Sequence, residues 1–225
     1  MIHEPTIKYK NRRISWQVLS SQATFFHERT IATVEQRIKE SRLIKKGHRR
    51  AVYFHAHSGF YIKQLIPSRA KIEWRNWTGL RASGMPTVTP IALGLGQQKA
   101  YIISRAHDDF RPLYDTWHTL SGRLRLQLLE ALGRTIRRMH ESGYYHGDLH
   151  GGNFIVRTAL GHFDLKMLDF QSGSFKKITR SRKFYNLADI SLSHFFQLNT
   201  RVHPYIFYFL VSGFRFSMWH FSAVE

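Results

Sequence analysis

Between Tyr145 and Gln171 the chain carries His146-Gly147-Asp148-Leu149-His150-Gly151-Gly152-Asn153, an apolar run Phe154-Ile155-Val156, a turn around Gly161, a second run Leu165-Lys166-Met167-Leu168, and then Asp169-Phe170-Gln171. Two short apolar runs joined by a polar, glycine-containing turn pair as an antiparallel hairpin. That pairing constrains the rest of the stretch. Asn153 stands just before the first strand and Asp169 just after the second, so closing the hairpin brings both to one end of it. Asp148 lies on the loop that enters the hairpin, five positions before Asn153. An amide oxygen and a carboxylate at one point are hard ligands of the kind Mg²⁺ takes, with phosphate and water completing the shell. Asn153 and Asp169 are therefore the expected metal ligands. Asp148, the acid beside them, is the expected catalytic base, taking or orienting the proton of an acceptor hydroxyl.

The base of this loop is also readable. Leu120 to Ser142 is the clearest helix in the sequence. Leu124, Leu128, Leu132, Ile136 and Met139 recur at helical spacing and Leu129 widens the stripe. Arg123, Arg125, Arg134, Arg137 and Arg138 occupy the other face. Gly143 follows in the C-cap position, and Tyr144-Tyr145 leads into the loop. A helix, a loop with a base and two metal ligands delivered by a hairpin is the order in which kinase-like phosphotransferases lay out their chemistry.

The first half supplies a second constellation. Lys8 to Trp16 reads as an edge strand or arm. From Ser21 the period turns helical, with Phe25, Phe26, Ile31, Val34 and Ile38 as its apolar positions. Leu43 to Phe54 reads as two strands around a tight basic turn, Ser58-Gly59 as a second turn, and Phe60 to Ile66 as a third strand. Lys63 on that strand is the expected point charge for nucleotide phosphates. A helix from Ser68 to Ala82 carries Glu73, ten positions later, whose carboxylate is expected to hold Lys63 extended. The phosphate-covering turn departs from the usual glycine-rich form: Gly47 is its single glycine, among basic side chains, and is the expected contact to the nucleotide there. Val88 to Leu93 and Ala100 to Ser104 read as two further strands, with Ile102 to His107 the candidate for holding adenine.

Composition narrows the partners. The 225 residues are 43% hydrophobic, enough for a core, and contain no cysteine, which excludes disulfides and thiolate chemistry. The N-terminus has no apolar run of the secretory kind. The formal net charge of +19 calls for an acidic partner. No zinc-ligand pair or RNA-binding signature is present, so a membrane surface or an anionic glycan is expected rather than nucleic acid. Lys176, Lys177, Arg180, Arg182 and Lys183 follow the second metal ligand, where an anionic acceptor would approach. Asp189 is a candidate brace for the catalytic loop. The aromatic stretch 204–221 is too short and interrupted to read as a membrane span.

His146 to Phe154, Leu168 to Gln171 and the pair Lys63 and Glu73 together resemble the lipopolysaccharide kinase family of Gram-negative bacteria. The H-G-D-L-H-x-G-N form also looks like that of the aminoglycoside and choline phosphotransferases. The resemblance implies an α+β, protein-kinase-like two-lobed fold, with a small antiparallel-sheet N-lobe over residues 1–106 and a mainly helical, minimal C-lobe over 107–225. It implies ATP and Mg²⁺ as cofactors, and phosphorylation of a sugar hydroxyl, on heptose or 3-deoxy-octulosonic acid (Kdo), in the lipopolysaccharide core. It also implies work as a peripheral protein at the cytoplasmic face of the inner membrane. The rival readings are the same chemistry on a small molecule or a protein, and a non-catalytic membrane-binding module. A basic run after Asp169 argues against cationic acceptors. His-Gly-Asp in place of His-Arg-Asp, and Asp-Phe-Gln in place of Asp-Phe-Gly, argue against a regulated protein kinase.

Overall fold

The computed structural model describes residues 4–10, 13–25, 34–48, 50–159 and 161–192. The chain divides into two compact units. One joins Met1–Ser83 and Val88–His107, and the other joins Gly84–Thr87 and Asp108–Glu225.

The first unit holds β1 (Thr6–Lys10), β2 (Ser15–Leu19), α1 (Val34–Lys39), β3 (Arg42–Gly47), β4 (Arg50–His55), β5 (Phe60–Leu65), α2 (Pro67–Ala82), β6 (Pro90–Leu95) and β7 (Ala100–Arg105). Its strands form one sheet in the order β1-β2-β6-β7-β5-β4-β3, and every pairing is antiparallel. Alternation along β5 explains its two faces. Phe60 and Ile62 enter a core with Trp16, Val18, Ile91, Tyr101, Ile103 and Val34. Tyr61, Lys63 and Leu65 point the other way. Helix α2 starts with Pro67 at its first position, where a missing N–H costs nothing. It buries Ala70, Trp74, Trp77 and Leu80, one helical stripe. The Trp77 indole N–H donates to the Val88 carbonyl at 2.9 Å.

The sheet is larger than the pattern of the sequence suggests. The stretch expected as one edge strand is a hairpin, β1 on β2, with Tyr9 opposite Trp16. The helix expected from Ser21 is revised over its first residues only. Ser20–Phe25 is a 3₁₀ turn, and Val34–Lys39 is regular helix. The cause is local. The Ser20 amide and hydroxyl both donate to the Pro5 carbonyl, at 3.0 and 2.9 Å, and the Ser21 amide donates to the Glu4 carboxylate at 3.0 Å. These bonds tie the turn to the start of β1. Residues 26–33 lie outside the described residues.

The second unit holds β8 (Arg111–Pro112), α3 (Leu113–Thr119), α4 (Gly122–Glu141), β9 (Tyr144–Tyr145), β10 (Phe154–Ala159), β11 (His162–Met167), β12 (Ser174–Phe175) and α5 (Arg180–Leu192). Its strands pair as β11-β10-β8 and β12-β9. Helix α4 packs on β11 and β9. Leu128, Leu132, Ile136 and Met139 are fully buried there, while Leu124, on the first turn, is half-buried. Glu130 pairs with Arg134, and Glu141 with Arg137 at 2.7 Å, on the solvent side. Gly143 closes the helix at φ 77°, donating to the His140 carbonyl at 3.0 Å. Among the described residues no helix is long and apolar enough to cross a membrane. The Asp189 side chain and the stretch 204–221 lie outside what is described.

Candidate active site

In the second unit, α4 and its glycine cap launch β9, and β9 pairs with β12 so that Tyr144 faces Phe175 and Tyr145 faces Ser174. The loop His146-Gly147-Asp148 follows at once. Gly147 sits at φ 73°, and a Cβ there would lie 2.4 Å from the Ser172 carbonyl oxygen. Both the backbone angle and the close approach demand glycine.

Asn153 is 5% exposed, and its Nδ2 donates to the Asp148 backbone carbonyl at 2.7 Å. That bond fixes the amide orientation and leaves Oδ1 as the acceptor side. The Asn153 carbonyl accepts from the Leu168 amide at 2.9 Å, one step beyond the Phe154–Met167 pair of the hairpin. Asp169 is the next residue. Its backbone stands at φ 56°, the one left-handed non-glycine position among the described residues, a conformation that costs energy and is kept only where neighbours over-determine it. Those neighbours are identifiable. Tyr144, fully buried, donates its hydroxyl to the Phe170 carbonyl at 3.2 Å. His146 Nε2 meets the Leu168 carbonyl at 3.2 Å. Burial pushes the pKa of His146 down, and a carbonyl can only accept, so Nε2 carries a proton and donates it.

The acid itself is open to solvent: the Asp148 side chain is 51% exposed and that of His150 is 40% exposed. His150 Nδ1 accepts from the Gly152 amide at 3.1 Å. A neutral His150 therefore carries its proton on Nε2, which lies 4.0 Å from Asp148 Oδ1. Among the described residues no three His, Cys, Asp or Glu side chains gather into a self-sufficient metal site. The Asn153 amide oxygen and the Asp169 carboxylate still suit a hard cation, provided phosphate and water supply its other ligands.

In the first unit, Lys63 sits mid-strand on β5, opposite Val52 on β4 and Ile102 on β7. Its Nζ is 2.8 Å from Glu73 Oε1 on α2, with side chains 15% and 2% exposed. Gly47 ends β3 opposite Arg50. Its φ is not left-handed, and a Cβ would come no nearer than 3.4 Å to Arg50 Cγ, so the fold itself tolerates a side chain there. In the stretch 102–107, the Ala106 amide donates to the Gly59 carbonyl at 2.8 Å, and His107 Nε2 accepts from the Thr89 amide at 3.2 Å.

The structure thus gathers Asp148, Asn153 and Asp169 in one loop cluster of the second unit, and Lys63 and Glu73 in one pair of the first. It adds groups that residue types alone did not single out. Tyr144 and His146 hold the backbone on either side of Asp169, and His150 faces Asp148. The available signal for the first two was their position directly between a helix cap and the loop, where a large side chain has nowhere to go but inward.

A family model described as "Lipopolysaccharide kinase (Kdo/WaaP) family" matches residues 16–201. A solved structure described as "WaaP in complex with acyl carrier protein" matches with a TM-score of 0.63 at 20% identity, over 87% of this chain and 86% of that one. At that identity the likeness is one of fold, a mixed helix-and-sheet architecture with an antiparallel sheet. No curated protein matches the sequence.

Proposed function

The chain belongs to the lipopolysaccharide kinase (Kdo/WaaP) family and is therefore a kinase; from that premise we propose that it transfers the γ-phosphoryl group of ATP to a sugar hydroxyl of the lipopolysaccharide inner core, on heptose or Kdo. The observation that carries this reading is the closure of the β10–β11 hairpin, which sets Asn153 against Leu168, and so Asp169 close by, on the loop of Asp148.

Each residue has a role in the proposal. The acceptor hydroxyl oxygen forms a bond to the γ-phosphorus as the bond from that phosphorus to the ADP oxygen breaks, and Asp148 takes the hydroxyl proton. Half exposure suits this role, because an acceptor has to reach the carboxylate. Asn153 Oδ1 and the Asp169 carboxylate would hold Mg²⁺, which when bound offsets the charge of the phosphates. Lys63, kept extended by Glu73, would meet the phosphate chain, and Gly47 would lie against the nucleotide. Residues 1–106 act as the nucleotide-side lobe in this reading and 107–225 as the lobe of the catalytic loop. A +19 chain suits an anionic acceptor and the anionic face of a membrane, consistent with peripheral work at the cytoplasmic side of the inner membrane.

The test uses purified protein, labelled ATP with Mg²⁺, and deep-rough lipopolysaccharide, beside a panel of small-molecule and protein acceptors. Label is expected in the lipopolysaccharide, with mass spectrometry assigning one added phosphate to one core sugar. No transfer to lipopolysaccharide, or equal transfer by Asp148→Asn, refutes the proposal. Transfer to another acceptor alone would keep the chemistry and replace the substrate.

A further inference from the structure

The strand that carries Gly47 offers the nucleotide little backbone of the usual kind. A glycine-rich turn holds phosphates through closely approaching amides, but here one glycine stands among cations. The register of the sheet shows which cation can stand in.

Residues directly opposite one another in antiparallel strands share a face. Lys45 on β3 is opposite Val52 on β4, and Val52 is opposite Lys63 on β5. Lys45 and Lys63 therefore point to the same face, two strand spacings or roughly 10 Å apart. Lys46 is opposite Ala51, which is opposite Gln64, so it belongs to the other face. This assignment depends on a β-bulge. The pairing slips between Leu43, opposite Tyr53, and Lys45, opposite Val52. Without the extra residue, Ile44 would stand opposite Val52 and Lys45 would turn away. Re-aiming one side chain is what a bulge does, and bulges are concentrated beside functional sites. The six residues of β3 are all exposed, and Lys45 makes no hydrogen bond or ion pair among the described residues. Lys63, in contrast, is already paired with Glu73.

We propose that Lys45 is a second phosphate-binding residue, re-aimed by the bulge in β3 onto the face of Lys63, where its ammonium takes the place of glycine-loop amides along the phosphate chain of a nucleoside triphosphate. A row of phosphate charges can meet two cations spaced in this way at once, whereas an unphosphorylated nucleoside gains nothing from the second. The inference rests on the reading that Lys63 meets nucleotide phosphate. The competing role is that of an edge guard, since charged side chains on an edge strand discourage pairing with another molecule's sheet.

The test is calorimetric binding of Mg·ATP, Mg·ADP and adenosine to wild type, Lys45→Gln, Lys46→Gln and Lys63→Met. Lys45→Gln is expected to weaken ATP about tenfold, the loss of one charge-assisted contact, to weaken ADP less, and to leave adenosine unchanged. Lys46→Gln is expected to match wild type. Wild-type ATP affinity in Lys45→Gln, or an equal loss in Lys46→Gln, overturns the assignment and leaves the edge-guard role. Failure of wild type to bind Mg·ATP, or full affinity in Lys63→Met, overturns the underlying reading and this inference with it.

Discussion

The Lys63–Glu73 pair allows a prediction whose size follows from burial. Glu73 is 2% exposed and Lys63 15%, with 2.8 Å between their charged atoms. Removing either partner takes from the other its closest opposite charge in a poorly hydrated place, which costs about 3–5 kcal/mol for buried pairs. Lys63 keeps some solvent access, so the lower end applies, about 3 kcal/mol for Glu73→Leu. In a chain of this size that lowers Tm by about 6–12 °C. Replacing both partners with apolar groups of similar volume removes the stranded charge as well as the pair. The double variant Lys63→Met/Glu73→Leu is therefore expected to melt closer to wild type than Glu73→Leu does, with a coupling of about 2 kcal/mol. Thermal denaturation of wild type, the two single variants and the double variant completes the cycle, and phosphoryl transfer is measured on all four. Stability should largely return in the double variant while transfer stays lost. Additive destabilisation would refute the claim that the two charges stabilise each other in this poorly hydrated place.

Three further outcomes test other parts of the site. Asp148→Asn is expected to lower transfer by about 10³-fold, within the range for loss of a general base, while ATP affinity and Tm hold. Gly147→Ala meets a φ of 73° and a carbonyl oxygen 2.4 Å from the new carbon, and should cost at least about 2 kcal/mol in a denaturant titration. His140 hydrogen-bonds Asn186 at 3.0 Å in the interior, and burial lowers its pKa from 6.5 to about 4. The unfolded chain then binds the proton first, so stability is complete above pH 6.5 and falls as pH drops toward 4, by up to about 3 kcal/mol. His140→Gln, which keeps a donor for Asn186 but does not titrate, should flatten that slope in urea melts across the same window.

What the chain revealed before folding depended on how local the determining contacts are. Asn153 and Asp169 are separated by one hairpin, and hairpin pairing is written in two apolar runs and a turn, so the approach of Asn153 to Leu168, next to Asp169, is legible. The same holds for Lys63 and Glu73, where one strand, one turn and one helix intervene. The β1–β2 hairpin was not legible as part of the sheet, because its neighbour β6 lies some 75 residues on and nothing in Ser15–Leu19 specifies it. The 3₁₀ turn at Ser20–Phe25 is not legible for a related reason. Bonds from Ser20 and Ser21 hold it to Pro5 and Glu4, fifteen or more residues back, and nothing in Ser20–Phe25 announces them. The bulge in β3 is invisible to pattern altogether, since an extra residue in one strand is defined only against its partner.

Asp169 shows how neighbouring bonds hold a left-handed backbone in this loop. Its backbone adopts φ 56°, where glycine would be unstrained and asparagine nearly so. The bracketing bonds explain how the aspartate is held there: the Leu168 amide is tied to Asn153, the Leu168 carbonyl to His146, and the Phe170 carbonyl to Tyr144. Backbone strain and carboxylate chemistry can then be separated by substitution. Asp169→Gly and Asp169→Asn should both fold with near-wild-type Tm, because each accepts the left-handed angle. Asp169→Val, β-branched at that angle, should lose about 1–3 kcal/mol. Mg²⁺-dependent transfer should vanish in all three, since none supplies the carboxylate. A valine variant as stable as the asparagine variant would show that the angle is not enforced. Residual Mg²⁺-dependent transfer in the glycine variant would show that the carboxylate does not hold the metal, and would remove the reason for keeping an aspartate where glycine fits better.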